Sequence, residues 1–129
     1  MKLRYTILYV EDVPKTLAFY EQAFGLKTAM LHESNDYGEL STGETKLAFS
    51  SISLMNQLGK SAQKAHAKRP VFEIAFETNH VEKALKKAMN AGALLEQNMT
   101  DMPWGQTVSY VSDFNGFLIE ICSPIKNTL

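Results

Sequence analysis

The chain has 129 residues, 45% of them hydrophobic, with 13 Lys and Arg against 14 Asp and Glu and a formal net charge of -1. That length and apolar content fit one compact domain with a real core. The near-neutral balance, with a pI of about 6.3, leaves no basic footprint for nucleic acid, and no apolar run is long enough to span a bilayer as a helix.

The opening "MKLRYTILYVED" is apolar over too short a stretch for a secretion signal, and the single Cys122 cannot close an internal disulfide. A cytoplasmic protein is expected. "YTILYVEDVPKTLAFYEQAFG", from Tyr5, reads as an alternating strand that turns into an amphipathic helix. Val13, Leu17, Tyr20 and Phe24 form its stripe, Asp12 its N-cap and Gly25 its stop. Three β-like runs follow, "LKTAMLHE", "YGELSTG" and "TKLAFSS". Residues 53–68, "SLMNQLGKSAQKAHAK", are polar and poor in β-branched residues, as in a linker, with His66 a solvated loop residue.

The pattern then repeats. "EIAFETNHVEKALKKAMNAG", from Glu73, carries Val81, Leu85, Ala88 and Gly92 at the spacing of the first stripe, with Asn79 as expected N-cap and Gly92 as stop. The runs "ALLEQNMT", "QTVSYVSD" and "FLIEICS" follow, the last two joined by the hairpin turn "DFNGF", in which Asn115 and Gly116 are expected at positive φ. Cys122 lies in an apolar strand and reads as a buried structural thiol. The result is an α+β arrangement, βαβββ twice: one domain over 1–129, with a module at 1–52, a linker at 53–68 and a second module at 69–124.

The two modules, the entry "YVEDVPKTLAFYEQAFGL" and the closing "PWGQTVSYVSDFNGFLIEI" resemble the vicinal-oxygen-chelate superfamily. Its members include glyoxalase I, extradiol dioxygenases, fosfomycin-resistance enzymes and bleomycin-resistance proteins. The resemblance implies a curved mixed sheet with helices on its convex face, a site on the concave face, and a homodimer.

Strand alternation then sorts the side chains. Leu8, Val10, Ile74, Phe76, Ile119 and Ile121 belong on the helix face. Tyr5, Tyr9, Glu73 and Glu120 belong on the other, so the carboxylate of Glu73, set within an otherwise apolar strand, looks into the cup across from Glu120.

Metal-dependent members of the superfamily hold their ion with four ligands, rich in His and Glu. Carried over by motif, those positions are Tyr5, Ala48, Glu73 and Glu120. A phenol of pKa about 10 ligates poorly at neutral pH and Ala has no donor, so no metal or other cofactor is expected. A divalent ion held by Glu73 and Glu120, with help from Glu39 or His32, is the less favoured alternative.

Two carboxylates facing one cavity favour a proton or a cation between them. Tyr5, Tyr9, Tyr37, Tyr110 and Trp104 offer flat surfaces for cation–π contact, and Ala48 counts with them as ligand-binding. The pattern resembles most the bleomycin-resistance branch: a metal-independent small-molecule binding protein that sequesters a cationic aromatic compound. "DMPWGQTV", holding Trp104, reads as a lip over the ligand. The alternative is a lyase or other enzyme of the superfamily with Glu73 and Glu120 as acid–base or metal-ligating groups. A structural reading also stands, in which Glu73 or Glu120 bridges to Arg4 or Lys46.

Overall fold

The computed structural model describes residues 1–126. The chain divides into two compact units, residues 1–65 and a second beginning at His66. The first contains β1 (Tyr5–Val10), α1 (Val13–Phe24), β2 (Lys27–Leu31), β3 (Tyr37–Ser41), β4 (Lys46–Ser51) and α2 (Ile52–Gln57). Its sheet has the order β1-β4-β3-β2, with β1 and β4 parallel and the other neighbours antiparallel. A parallel pair needs a long crossover, and α1, β2 and β3 supply it.

Asp12 starts α1 by accepting from the Lys15 amide at 3.0 Å, Pro14 sits in the first turn, and Gly25 ends the helix in the left-handed region at φ 69°. The helix buries Val13, Thr16, Leu17, Phe19, Tyr20 and Ala23 over β2, β3 and β4. Tyr20 is fully buried and its ring lies 5.1 Å from that of Phe49, centroid to centroid.

The second unit repeats the order with β5 (Glu73–Glu77), α3 (Val81–Asn90), β6 (Leu94–Met102), β7 (Gln106–Ser112) and β8 (Leu118–Cys122). Its sheet runs β5-β8-β7-β6, with β5 parallel to β8. Val81, Leu85 and Ala88 bury one stripe of α3 against β6, β7 and β8. Among the described residues no helix is long and apolar enough to cross a membrane.

Three local expectations are corrected. The N-cap of α3 is His80, not Asn79, and it makes no side-chain capping bond. Thr78 Oγ1 takes the His80 amide at 3.1 Å, which sets the turn one residue later than the Asn would. The segment read as linker opens as α2, because Ser51 Oγ accepts from the Leu54 amide at 3.0 Å and Met55 finds a buried place. In the β7–β8 turn Gly116 has φ 94° but Asn115 is not at positive φ. There the Asp113 carboxylate organises the chain, accepting from the amides of Asn115 at 2.9 Å and Phe117 at 2.8 Å.

At Gly38, β3 packs closely on α1. A Cβ there would stand 2.6 Å from Leu17 Cδ1, 3.2 Å from Val13 Cγ1 and 3.2 Å from the Met30 carbonyl oxygen. Leu17 and Val13 are buried and the carbonyl is held in the β2–β3 ladder, so the neighbours have little room to give. Gly38→Ala should therefore destabilise the protein by about 1–3 kcal/mol through overpacking, read from the midpoint of a urea unfolding curve. An unchanged midpoint would show that Leu17 re-packs without loss.

Candidate functional site

In the first unit the parallel register sets Tyr5 beside Lys46 and Ile7 beside Ala48, and the antiparallel register sets Ala48 beside Glu39 and Ser50 beside Tyr37. These side chains share the face turned away from α1. Glu39 is buried, and both its oxygens are engaged. The Tyr37 hydroxyl donates to Oε2 at 2.7 Å and Lys46 Nζ donates to Oε1 at 3.3 Å. Burial, then the hydrogen bond to Glu39 and its negative charge, with Tyr5 adding, hold the Tyr37 phenol well above its ordinary value.

Sequence reasoning gave Glu39 only a fallback role. The alternation of Tyr37 and Glu39 along "YGELS" was the signal that puts both on one face. Ala48 is fully buried and contributes no donor. Tyr9 stands apart with Lys60, whose Nζ lies 3.4 Å from the Tyr9 hydroxyl and 5.7 Å from its ring centroid. His32 is exposed and bound to Ser34 Oγ at 2.8 Å in the turn after β2.

In the second unit Glu120 is paired with Ala75 on one side and Tyr110 on the other, and Glu73 precedes Ala75 by two residues on the same face of β5. Glu73, Glu120 and Tyr110 interact. Burial, followed by the charge of Glu73, raises the Glu120 carboxyl above its ordinary value, while Tyr110 pulls the other way. Burial, then the charges of Glu120 and Glu73 and hydrogen bonding to both, push the Tyr110 phenol up to about 12. Among the described residues of the second unit neither carboxylate forms an ion pair with a Lys or Arg. Within their own units Lys46 pairs with Glu39 and Lys68 with Glu96.

Cys122, further along β8, is buried, and burial together with the charges of Glu120 and Glu77 pushes its thiol up, which makes it a poor nucleophile. Trp104 lies in the β6–β7 turn, 52% exposed. Its indole N–H donates to Gln106 Oε1 at 2.7 Å, and Gln106 Nε2 donates to the Ser123 carbonyl at 3.0 Å. Trp104 is thus tied to the first residue of β7, four positions from Tyr110 and beyond contact with it along the strand. A groove of about 670 Å³ lies elsewhere in this unit, beside the start of α3, lined by His80, Lys83, Met99 and Thr107 among others.

The residues do not fit a transition-metal site. Among the described residues no three His, Cys, Asp or Glu side chains are grouped so as to hold an ion. Tyr5 and Ala48 bring no imidazole, the Tyr37 and Tyr110 phenols hold their protons, and both oxygens of Glu39 are already hydrogen-bonded.

Residues 3–126 match the family model described as Glyoxalase-like domain. The chain is 27% identical over 124 residues to an uncharacterized protein, YraH, of Bacillus subtilis (strain 168), covering 94% of this chain and 97% of that one. Among solved structures it superposes on a glyoxalase/bleomycin resistance protein/dioxygenase family enzyme from Burkholderia phytofirmans PsJN with TM-score 0.81 and 22% identity, covering 95% of this chain and 98% of that one. A glyoxalase-related enzyme from Fulvimarina pelagi gives TM-score 0.83 at 18% identity, covering 95% and 88%. At these identities the structural matches carry the fold alone.

The raised Glu120 carboxyl has a consequence for stability. Below the ordinary carboxyl value of about 4.3 the side chain is protonated in the folded and unfolded states alike, and its contribution is intact. As pH rises through the raised folded value, the folded state must carry a charge beside Glu73 that the unfolded chain carries in water, and that contribution is lost. Glu120→Gln should flatten this decline and leave the variant more stable than the parent at neutral pH, in unfolding curves taken from about pH 4 to neutral. A variant less stable than the parent at neutral pH would show that the charged form is held by a favourable contact.

Proposed function

The chain belongs to the glyoxalase-like domain family, and from that premise we propose that it is a metal-independent binder of a small organic molecule carrying a positive charge next to an aromatic group. One observation carries this reading: Glu73 and Glu120 share the open face of the second sheet with Tyr110, and among the described residues of that unit neither forms an ion pair with a Lys or Arg. Two close carboxylates repel unless a proton or a cation comes between them. A ligand ammonium group would relieve the repulsion and accept the Tyr110 ring as a flat neighbour.

A second reading has support in the raised Glu120 carboxyl. Beside Glu73, it is suited to hold and return a proton, as an acid–base enzyme of this family would require. Turnover without a charge preference in binding would favour that reading.

The binding test uses 2-phenylethylamine against its neutral counterpart 2-phenylethanol, titrated by calorimetry into the parent protein, Glu73→Gln and Glu120→Gln. Each substitution should weaken the amine by about 1.5–3 kcal/mol and the alcohol by less. Equal losses for the two compounds would sink the charge argument, and thermal melts of both variants control for folding.

The same reading takes the protein to be a metal-free homodimer. Leu94, Leu95 and Met99 on β6 are exposed, and two-fold pairing is the commonest cover for such a strand. Native mass spectrometry should show a species of twice the 14.5 kDa chain mass with no bound Zn, Ni, Mn or Fe. One such ion per chain, lost on Glu120→Ala, would overturn metal independence; a 14.5 kDa species at micromolar concentration would overturn the dimer.

A further inference from the structure

Glu73, Glu120 and Tyr110 leave unused the polar cluster of the first unit. Glu39 is buried beneath Lys46 and spends both oxygens on Tyr37 and Lys46. It therefore has little left to offer a ligand. What the cluster presents outward is Lys46, whose side chain is 37% exposed. An ammonium group has three N–H donors, and Glu39 takes one of them.

Tyr5 is the register partner of Lys46 across the parallel ladder, and its phenol lies near enough to Tyr37 to raise that group. Tyr5 is 47% exposed, and Ile7, next on the same face of β1, is 44% exposed. A cation pinned from below by a buried carboxylate thus stands beside a phenol hydroxyl and a small apolar surface.

We propose that Lys46 and Tyr5 form a recognition site for the carboxylate of a small apolar or aromatic monocarboxylic acid, with Glu39 and Tyr37 as positioning residues that aim the ammonium group. A carboxylate has two oxygens for the two donors, and its apolar body finds Ile7 and the Tyr5 ring. A dianion such as phosphate is a poorer match, since Glu39 already offsets the one cation present. The proposal stands independently of the cation reading of the second unit.

The experiment is an amide NMR titration with sodium benzoate, benzyl alcohol and inorganic phosphate. Benzoate should shift the amides of Tyr5, Ile7 and Lys46, and bind about tenfold or more tightly than benzyl alcohol, the difference expected of a charge-assisted contact. Lys46→Met should weaken benzoate by about the same factor and leave benzyl alcohol unchanged, while Lys46→Arg should retain benzoate binding.

Lys46→Met strips a partner from a buried carboxylate, so the double variant Lys46→Met with Glu39→Gln, which removes both charges and keeps an acceptor for Tyr37, is titrated alongside it. Loss of benzoate binding in a double variant with a dispersed, folded spectrum supports the site. Benzoate bound as tightly by that variant as by the parent overturns it, as does benzyl alcohol matching benzoate in the parent. Phosphate shifting the same amides as tightly as benzoate overturns the carboxylate class.

Discussion

In each module the first strand lies parallel to the last, β1 on β4 and β5 on β8, and everything on the open faces inherits its position from those two ladders. The apolar side holds the register. Leu8, Val10 and Phe49 in one unit and Val111, Ile119 and Ile121 in the other are essentially inaccessible, and burying each such side chain contributes about 1.5–3 kcal/mol. A slip of one residue along β8 would send Ile119 and Ile121 to solvent and turn Glu120 toward α3, where an unpaired carboxylate is expensive. Glu73, Glu120, Tyr110, Glu39 and Lys46 stay where they are because their apolar neighbours cannot move.

This is why most of the architecture was legible in the sequence. The repeat, the helix stripes and the alternation of each strand are all consequences of burying one face, and hydrophobicity reports burial. What was hidden depends on local hydrogen bonds. Asn79 and His80 are both polar and adjacent, and only the Thr78 bond decides which of them begins α3. Likewise Ser51 capping turns a polar stretch into α2, and Asp113 takes over the turn that Asn115 and Gly116 seemed to own.

Bulges hid more. β6 breaks register between Leu95 and Gln97 and again between Gln97 and Thr100, so counting by twos along "LLEQNMTDM" loses the face after two residues. That is how Glu96 comes to accept from Ser112 Oγ at 2.7 Å and to pair with Lys68, contacts that alternation does not reveal. Within the candidate site, alternation grouped Glu73 with Glu120 and Tyr5 with Tyr9. It could not show that Lys46 belongs to Glu39, because that choice depends on which carboxylate lies within reach across β3 and β4.

The two sheets have one topology and opposite electrostatics. Glu39 and Tyr110 occupy corresponding places, each on the third strand of its module and paired with Ala48 or Glu120 on the fourth. In the first unit the carboxylate at this row is matched by Lys46 and Tyr37, so its charge and both its oxygens are satisfied within the sheet. In the second, the carboxylate has moved to the fourth strand, a second one stands on β5, and Tyr110 is the partner in place of a cation. The first arrangement stabilises the fold by itself. The second opposes folding whenever both groups are ionised, and nothing in the sheet requires it, since Tyr5 and Ala48 stand at the corresponding positions of the first unit. Local violations of good packing chemistry concentrate at functional sites, and of the two faces the second is the one whose carboxylates form no ion pair with a Lys or Arg among the described residues of their own unit.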